Sequence, residues 1–279
     1  METRPPDIGR IELNLQRAID LEHEAESRLS EARIQRQFWN DLELHIKDHR
    51  PAAALLVLEE FEGSANGMHS LEPAELEVIE RLKADLSDTV KTSLRQFDRL
   101  FPEAAESAGI QIDDWSRHPR YTVKQGFIQI EIDERSHLAT ITPRDGKSIE
   151  LGVDVPLIIE RLRSEIERLF ERQVDREKFL RTLFNAYSAV IRTDDARQDE
   201  DEVALRRVMN RLDKNLKKSL SADEFNVDLS HVVKSGHLTI DERRMLLNHT
   251  RIPRQGMLLH ELEEGGYQGF ISFKKEQTE

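Results

Sequence analysis

Four side chains in the middle of the chain are of the types that a divalent cation and an attacking water would need. Glu131 and Asp133 fall on one side of an alternating segment, and Asp145-Gly146-Lys147 follows near the end of the next. An acid on one strand and an acid-x-Lys on its neighbour can hold Mg²⁺ and polarise a water, the chemistry of a Mg²⁺-dependent, nuclease-like hydrolase. The same residues have a plainer reading. Asp-Gly is a strong tight-turn signal, and the outward face of a half-buried strand is polar in any case.

His45 and His49 are four apart on an expected helix and could share a metal, but the first is not followed by the Glu that a zinc protease uses as base. Lys47 between them opposes a cation, and histidines near a helix end are favourable partners of its dipole. Gly146-Lys147-Ser148 supplies the last letters of a phosphate-binding loop, but Ile141 stands where its first glycine belongs. No nucleophile elbow, dinucleotide fingerprint or kinase set occurs. The chain has no cysteine, which excludes disulfides, thiolate metal sites and cysteine nucleophiles. No catalytic, cofactor-binding or metal-binding residue is therefore assigned, no cofactor is expected, and an enzyme is the less favoured reading.

The clearest functional signal is electrostatic. Residues 203–220, VALRRVMNRLDKNLKKSL, carry six basic side chains in a protein of net charge −13. At about 100° per residue, Arg207, Arg211, Lys214 and Lys218 form one stripe and Leu205, Val208, Leu212 and Leu216 the opposite face of an amphipathic helix. Arg206, Arg207, Arg211, Lys214, Lys217 and Lys218 are the candidate contacts for an anionic partner, either nucleic acid or an acidic protein surface. Alternatively the stripe is solvated and partly neutralised by Asp194, Asp195, Asp199, Glu200, Asp201 and Glu202 just before it. The excess of acids elsewhere makes a general polyanion-binding surface improbable and any nucleic-acid contact local.

The elements that must position these residues follow from periodicity. Ile8 to about His49 reads as one long helix, with Ile8, Ile11, Leu15, Ala18, Ala25, Leu29, Ala32, Trp39 and Ile46 at heptad spacing and Glu22, Arg36 and Glu43 as flaws in the seam. A short apolar helix around Leu55 to Phe61 and the loop GSANGMHS at 63–70 follow. A helix from Pro73 carries Leu76, Ile79, Leu82, Leu86, Val90, Leu94, Phe97 and Phe101 and ends near Pro102. FIQIEID, LATITPR and SIELGV predict a three-stranded meander. Two helices started by Asp154 and Asp175 should lie against one face of that sheet. The segment Asp114 to Tyr121, rich in Trp, Arg, His and Tyr, reads as a domain seam or a binding cleft.

After the acidic linker 193–202 and the basic helix, FNVDLSHVV reads as a strand or short helix, Thr239 as the start of a helix through DERRMLLNH, and GMLLHEL and GFISF as two closing strands joined across Glu264-Gly265-Gly266-Tyr267. The expected fold is α+β and predominantly helical. The domains are a helical hairpin or coiled-coil-like arm (1–110), a meander with two helices (111–192), and a small α+β unit compatible with a winged helix (193–279). No signal core or run of roughly 20 apolar residues is present, so a cytoplasmic location and no membrane contact are expected. Together these features point to a non-catalytic, acidic, oligomeric interaction subunit of a multiprotein complex. It would self-associate or bind a protein partner through its N-terminal helices, and by analogy could serve a nucleotide-driven or nucleic-acid-processing, defence-type machine.

Overall fold

In a computed structural model that describes residues 8–64, 71–215, 220–260 and 266–275, the helical and alternating patterns become eight α-helices and two four-stranded sheets among those residues. The chain is α+β and predominantly helical. It divides into two compact units, residues 1–97 with 152–157, and residues 98–151 with 158–279. None of the described helices is long and apolar enough to cross a membrane.

The first unit is built from α1 (Ile8–Lys47), α2 (Pro51–Gly63) and α3 (Pro73–Leu94). Pro51 starts α2 at a position where its missing N–H costs nothing, and Ala52, Ala53, Ala54, Leu55, Leu58 and Phe61 are buried, as an apolar helix in a core should be. α3 opens on a capping box in which the Glu75 carboxylate accepts the Glu72 N–H at 2.9 Å. Phe38, Leu42, Ala54, Leu58, Phe61, Leu71, Ile79 and Leu86 form the core, with Phe38 stacked on Phe61 at 3.9 Å. Here the heptad expectation is corrected. In its last turns α1 buries Phe38 and Leu42, while Ile46 stays exposed. Of the expected row, Trp39 is half-buried edge-on to Phe38 at 4.8 Å, so the row continues through Trp39 but not through Ile46.

The helix starting at Pro73 stops at Leu94, short of the expected end near Pro102; α4 (Phe97–Ser107) takes up the chain, with Pro102 in its interior. The meander of the second unit has four strands in order, β1 (Arg120–Val123), β2 (Ile128–Asp133), β3 (Leu138–Pro143) and β4 (Ile149–Gly152). Ile128, Ile130 and Ile132 are buried while Gln129, Glu131 and Asp133 face outward, the period-two pattern of the sequence. β1 adds a strand to the three expected, because its four residues are too few to register as an alternation.

α5 (Val155–Ile166) runs into a π-helical turn, Glu167–Glu171, and α6 (Arg176–Arg192) follows, capped by Asp175, which accepts the Lys178 N–H at 3.0 Å. The expectation that both helices cover the meander needs correction for α6. Phe179, Leu180, Leu183, Ala186, Tyr187 and Val190 belong to the C-terminal core, and Phe184 and Tyr187 meet the Phe273 ring at 5.0 and 5.1 Å.

That core also holds β5 (Val203–Ala204), α7 (Leu205–Asn215), α8 (Ala222–Ser235), β6 (Thr239–Ile240), β7 (Arg243–His249) and β8 (Gln268–Lys275), the strands lying in the order β5-β8-β7-β6. FNVDLSHVV is helical. A Ser221/Glu224 capping box starts α8, and Gly236, at φ +71°, ends it. The segment DERRMLLNH is a strand, not the helix expected. Asp241 and Glu242 have φ of +46° and +61°, so they form a two-residue turn of the primed type between β6 and β7. In GMLLHEL, Met257 makes only a bridge to Gln268. Residues 261–265, which include Glu264 and Gly265, lie outside the described residues, as do 65–70 of the expected loop.

Candidate interaction surfaces

α1 is 40 residues long, roughly 60 Å at 1.5 Å per residue, and every residue from Glu12 to Ser30 is exposed. Leu13, Leu15, Ile19, Leu21 and Leu29 are exposed by between 37 and 65%. Ala18, Ala25 and Ala32 are exposed as well. Around a helix of about 100° per residue, Leu29 lies about 180° and Leu15 about 140° from Phe38. Between Leu15 and Leu29 the heptad positions therefore face away from Phe38, whereas Leu13 lies about 20° and Ile19 and Leu21 about 100° from it, and Trp39, further along the row, packs against the core of the unit. Leu15 and Leu29, with the alanines between them, make an apolar row in water of the kind that proteins tend to cover.

The basic helix is shorter than expected. Val203 and Ala204 pair with Ile271 and Phe270 as strand β5, and α7 begins at Leu205. The apolar side behaves as the pattern requires, with Leu205, Val208 and Leu212 buried. On the polar side, Arg206 Nη2 donates to Asp145 Oδ1 at 2.9 Å and to the Gly256 carbonyl at 2.9 Å. Arg207 donates to Asp194 at 2.7 Å, and Arg197 joins them at 3.0 Å. These two arginines hold the Asp194 carboxyl below its usual range, Arg207 contributing most. Arg211 is half-buried, with an Nε that finds no acceptor. Lys214 lies at the end of α7, and Lys217 and Lys218 lie outside the described residues.

The four side chains of the hydrolase reading are not brought together. Asp133 pairs with Leu138 at one end of the β2–β3 hairpin, whereas Asp145 lies beyond Pro143, which pairs with Ile128 at the other end. Five residues of strand put those ends about 17 Å apart at about 3.4 Å per residue, too far to share an ion. Each acid also has a local role. Glu131 pairs with Arg120 at 2.9 Å. Asp133 accepts the Arg135 N–H at 2.9 Å, and hydrogen bonds from Ser136 foremost, then the Arg135 N–H, hold its carboxyl below the usual range. Asp145 receives Arg206 and the Asn226 amide at 3.1 Å. Gly146 is needed at this turn because a Cβ there would meet the Asp223 carboxylate at 2.7 Å.

Two clusters that spacing alone left unseen tie elements of the second unit together. Arg168 bridges Glu165 at 2.8 Å and Asp223 at 2.5 Å, and Arg172 meets Asp228 at 2.5 Å and the Glu224 carbonyl at 2.9 Å. Burial alone would raise the Asp223 carboxyl, but hydrogen bonds led by Arg168 hold it below its usual range. Asp228 behaves oppositely, with burial pushing it up to about 6 against the opposing Arg172. Two arginines four apart, facing Asp223 and Asp228 five apart, were the available signal. The π-helical turn lets Arg168 and Arg172 face α8 together.

In the first unit, Asp154 is nearly fully buried and accepts the N–H groups of Ala52 and Ala53 at 2.9 and 2.7 Å. It satisfies the buried donors at the start of α2, which have no partner within the helix. Burial raises its carboxyl above the usual range, opposed by those two donors and by the charges of His45 and Arg50. His45 thus lies near a carboxylate with a structural role. Trp115 is exposed on a loop fastened by Asp113, which accepts the Gln125 and Gly126 N–H groups at 3.0 and 2.7 Å.

Comparison with protein-family models, with curated proteins and with solved structures finds no match to this chain. Its own surfaces are the guide to what it can do.

Proposed function

We propose that this protein is a non-catalytic assembly subunit of a cytoplasmic multiprotein complex, and that α1 is the element by which it docks. The observation that supports this reading is the exposed apolar row of α1, on the opposite side of the helix from Phe38 and Leu42. A helix of this length, packed only near its C-terminal end, has little intrinsic reason to keep large aliphatic side chains in water unless another protein covers them. The nucleic-acid reading asks for free cations, and Arg206 and Arg207 are already engaged with Asp145 and Asp194.

The test is the native size of the complex that tagged protein forms in its host, compared with a Leu15→Glu/Leu29→Glu variant. The wild type should elute well above the chain's own mass and the variant at that mass. If both elute as single chains, the reading fails.

A further inference from the structure

Resting on that reading, we infer that the occupant of the α1 row is a second copy of the same helix, running antiparallel with the centre of the contact between His23 and Glu24. Size and charge both select this pairing. It sets Leu15 of one copy against Ala32 of the other, Ala18 against Leu29, and Glu22 against Ala25. Each large side chain meets a small one, so the helices can approach closely without a gap or a clash. All of these residues are exposed in the single chain.

Charge separates this register from its competitors. A parallel, in-register pair would stack Glu22 on Glu22 and Arg36 on Arg36, and would set Arg28 against Arg33, with like charges at each place. Shifting the antiparallel pair by one heptad in one direction puts Glu26 beside Glu26 and Arg28 beside Arg28 across the axis. A shift in the other direction puts Glu12 beside Glu26. In the proposed register Glu12 of each copy lies beside Arg33 of the other, twice per dimer, and Glu22 is opposed by alanine. The Glu22 carboxylate can then reach past the alanine to water along its own aliphatic stem. A polar group at a seam position weakens the contact, but it penalises wrong registers more.

The stretch from Glu12 to Arg33 spans about 33 Å of helix at 1.5 Å per residue. It ends before Phe38, the first side chain of α1 fully committed to the core of its own unit. Formation of the pair therefore needs no rearrangement of the Phe38–Phe61 stack.

The absence of cysteine makes the test clean. Ala18→Cys and Leu29→Cys are made separately at exposed positions, where neither threatens folding, then mixed in equal amounts at tens of micromolar and oxidised with copper-phenanthroline. The products are identified by peptide mass spectrometry. The proposal expects the mixed disulfide, joining one Ala18→Cys chain to one Leu29→Cys chain, to dominate by several-fold over either self-crosslink. Wild-type protein should have twice the chain mass by light scattering, and the Leu15→Glu/Leu29→Glu variant should return to a single chain. Dominant self-crosslinking of the Leu29→Cys variant would mean a parallel pair and overturn the inference. A monomeric wild type would overturn it too. If such a monomer still forms a larger complex in its host that the double Glu variant loses, the docking reading stands and only the self-pairing is wrong.

Discussion

Burial pushes the Asp228 carboxyl up to about 6 although the Arg172 guanidinium lies 2.5 Å away, and Glu224 adds to the rise. The unfolded chain releases that proton near pH 4, so between about pH 4 and 6 the folded protein binds a proton that the unfolded one does not. The contribution of this group to stability is therefore fully present below about pH 4 and lost as pH rises through 6. Chemical denaturation of the wild type and of Asp228→Asn across this range should show the wild type losing stability relative to the variant by about 1 kcal/mol per pH unit or less. Parallel curves would contradict the shift. Asp154 allows a simpler expectation. Asp154→Ala removes both acceptors from the start of α2 and should cost about 2 kcal/mol, with Asp154→Asn, which keeps one acceptor, costing less. Both Asp154 and Asp175 read from the sequence as helix starts. Asp175 caps its own helix, whereas Asp154 serves one about a hundred residues earlier, a partner that local spacing cannot reveal.

Among the elements, those with a strong period were legible in advance. β2 and α6 follow directly from apolar spacing, because one face of each is buried along its length, whereas α1, buried only near its C-terminal end, and α3, which stops at Leu94, follow in part. The hairpin β6–β7 was not legible, since Asp241-Glu242-Arg243-Arg244 has the composition of a helical first turn and lacks the Asn-Gly that usually marks a primed turn. Its left-handed backbone belongs to the two-residue connection closed by the pairing of Ile240 with Arg243. Asp241→Asn with Glu242→Gly should accordingly stabilise the protein by about 1 kcal/mol, read as a higher midpoint of denaturation. Gly152 illustrates the reverse case. A Cβ there would stand 2.6 Å from the Ala53 nitrogen, so Gly152→Ala should cost about 2 kcal/mol or more in the same assay.

For the whole molecule, the net charge of −13 and the local engagement of the arginines act together. Wild-type protein should not retard duplex DNA even at low salt. A salt-sensitive shift that Arg207→Glu abolishes would favour the nucleic-acid reading instead. The amphipathic character of residues 203–215 was plain in the sequence, but the partners of its cations were not. Asp145 precedes Arg206 by 61 positions, and only the folded chain brings them to 2.9 Å. The helix α1 was legible from its heptads, but its exposure from Glu12 to Ser30, and the burial of Phe38 and Leu42 near its end, were not.

The capping of α2 by a carboxylate so far along the chain also has a kinetic side. The donors of Ala52 and Ala53 emerge from the ribosome about a hundred residues before their acceptor, which at roughly 5–20 residues per second is a wait of about 5–20 s. Throughout that interval the nascent N-terminal helices exist without the segment that completes their unit, whereas Glu12 to Arg33 of α1 already has its full sequence. Two neighbouring chains on one messenger could meet through that stretch before either has finished folding, and assembly would then precede maturation.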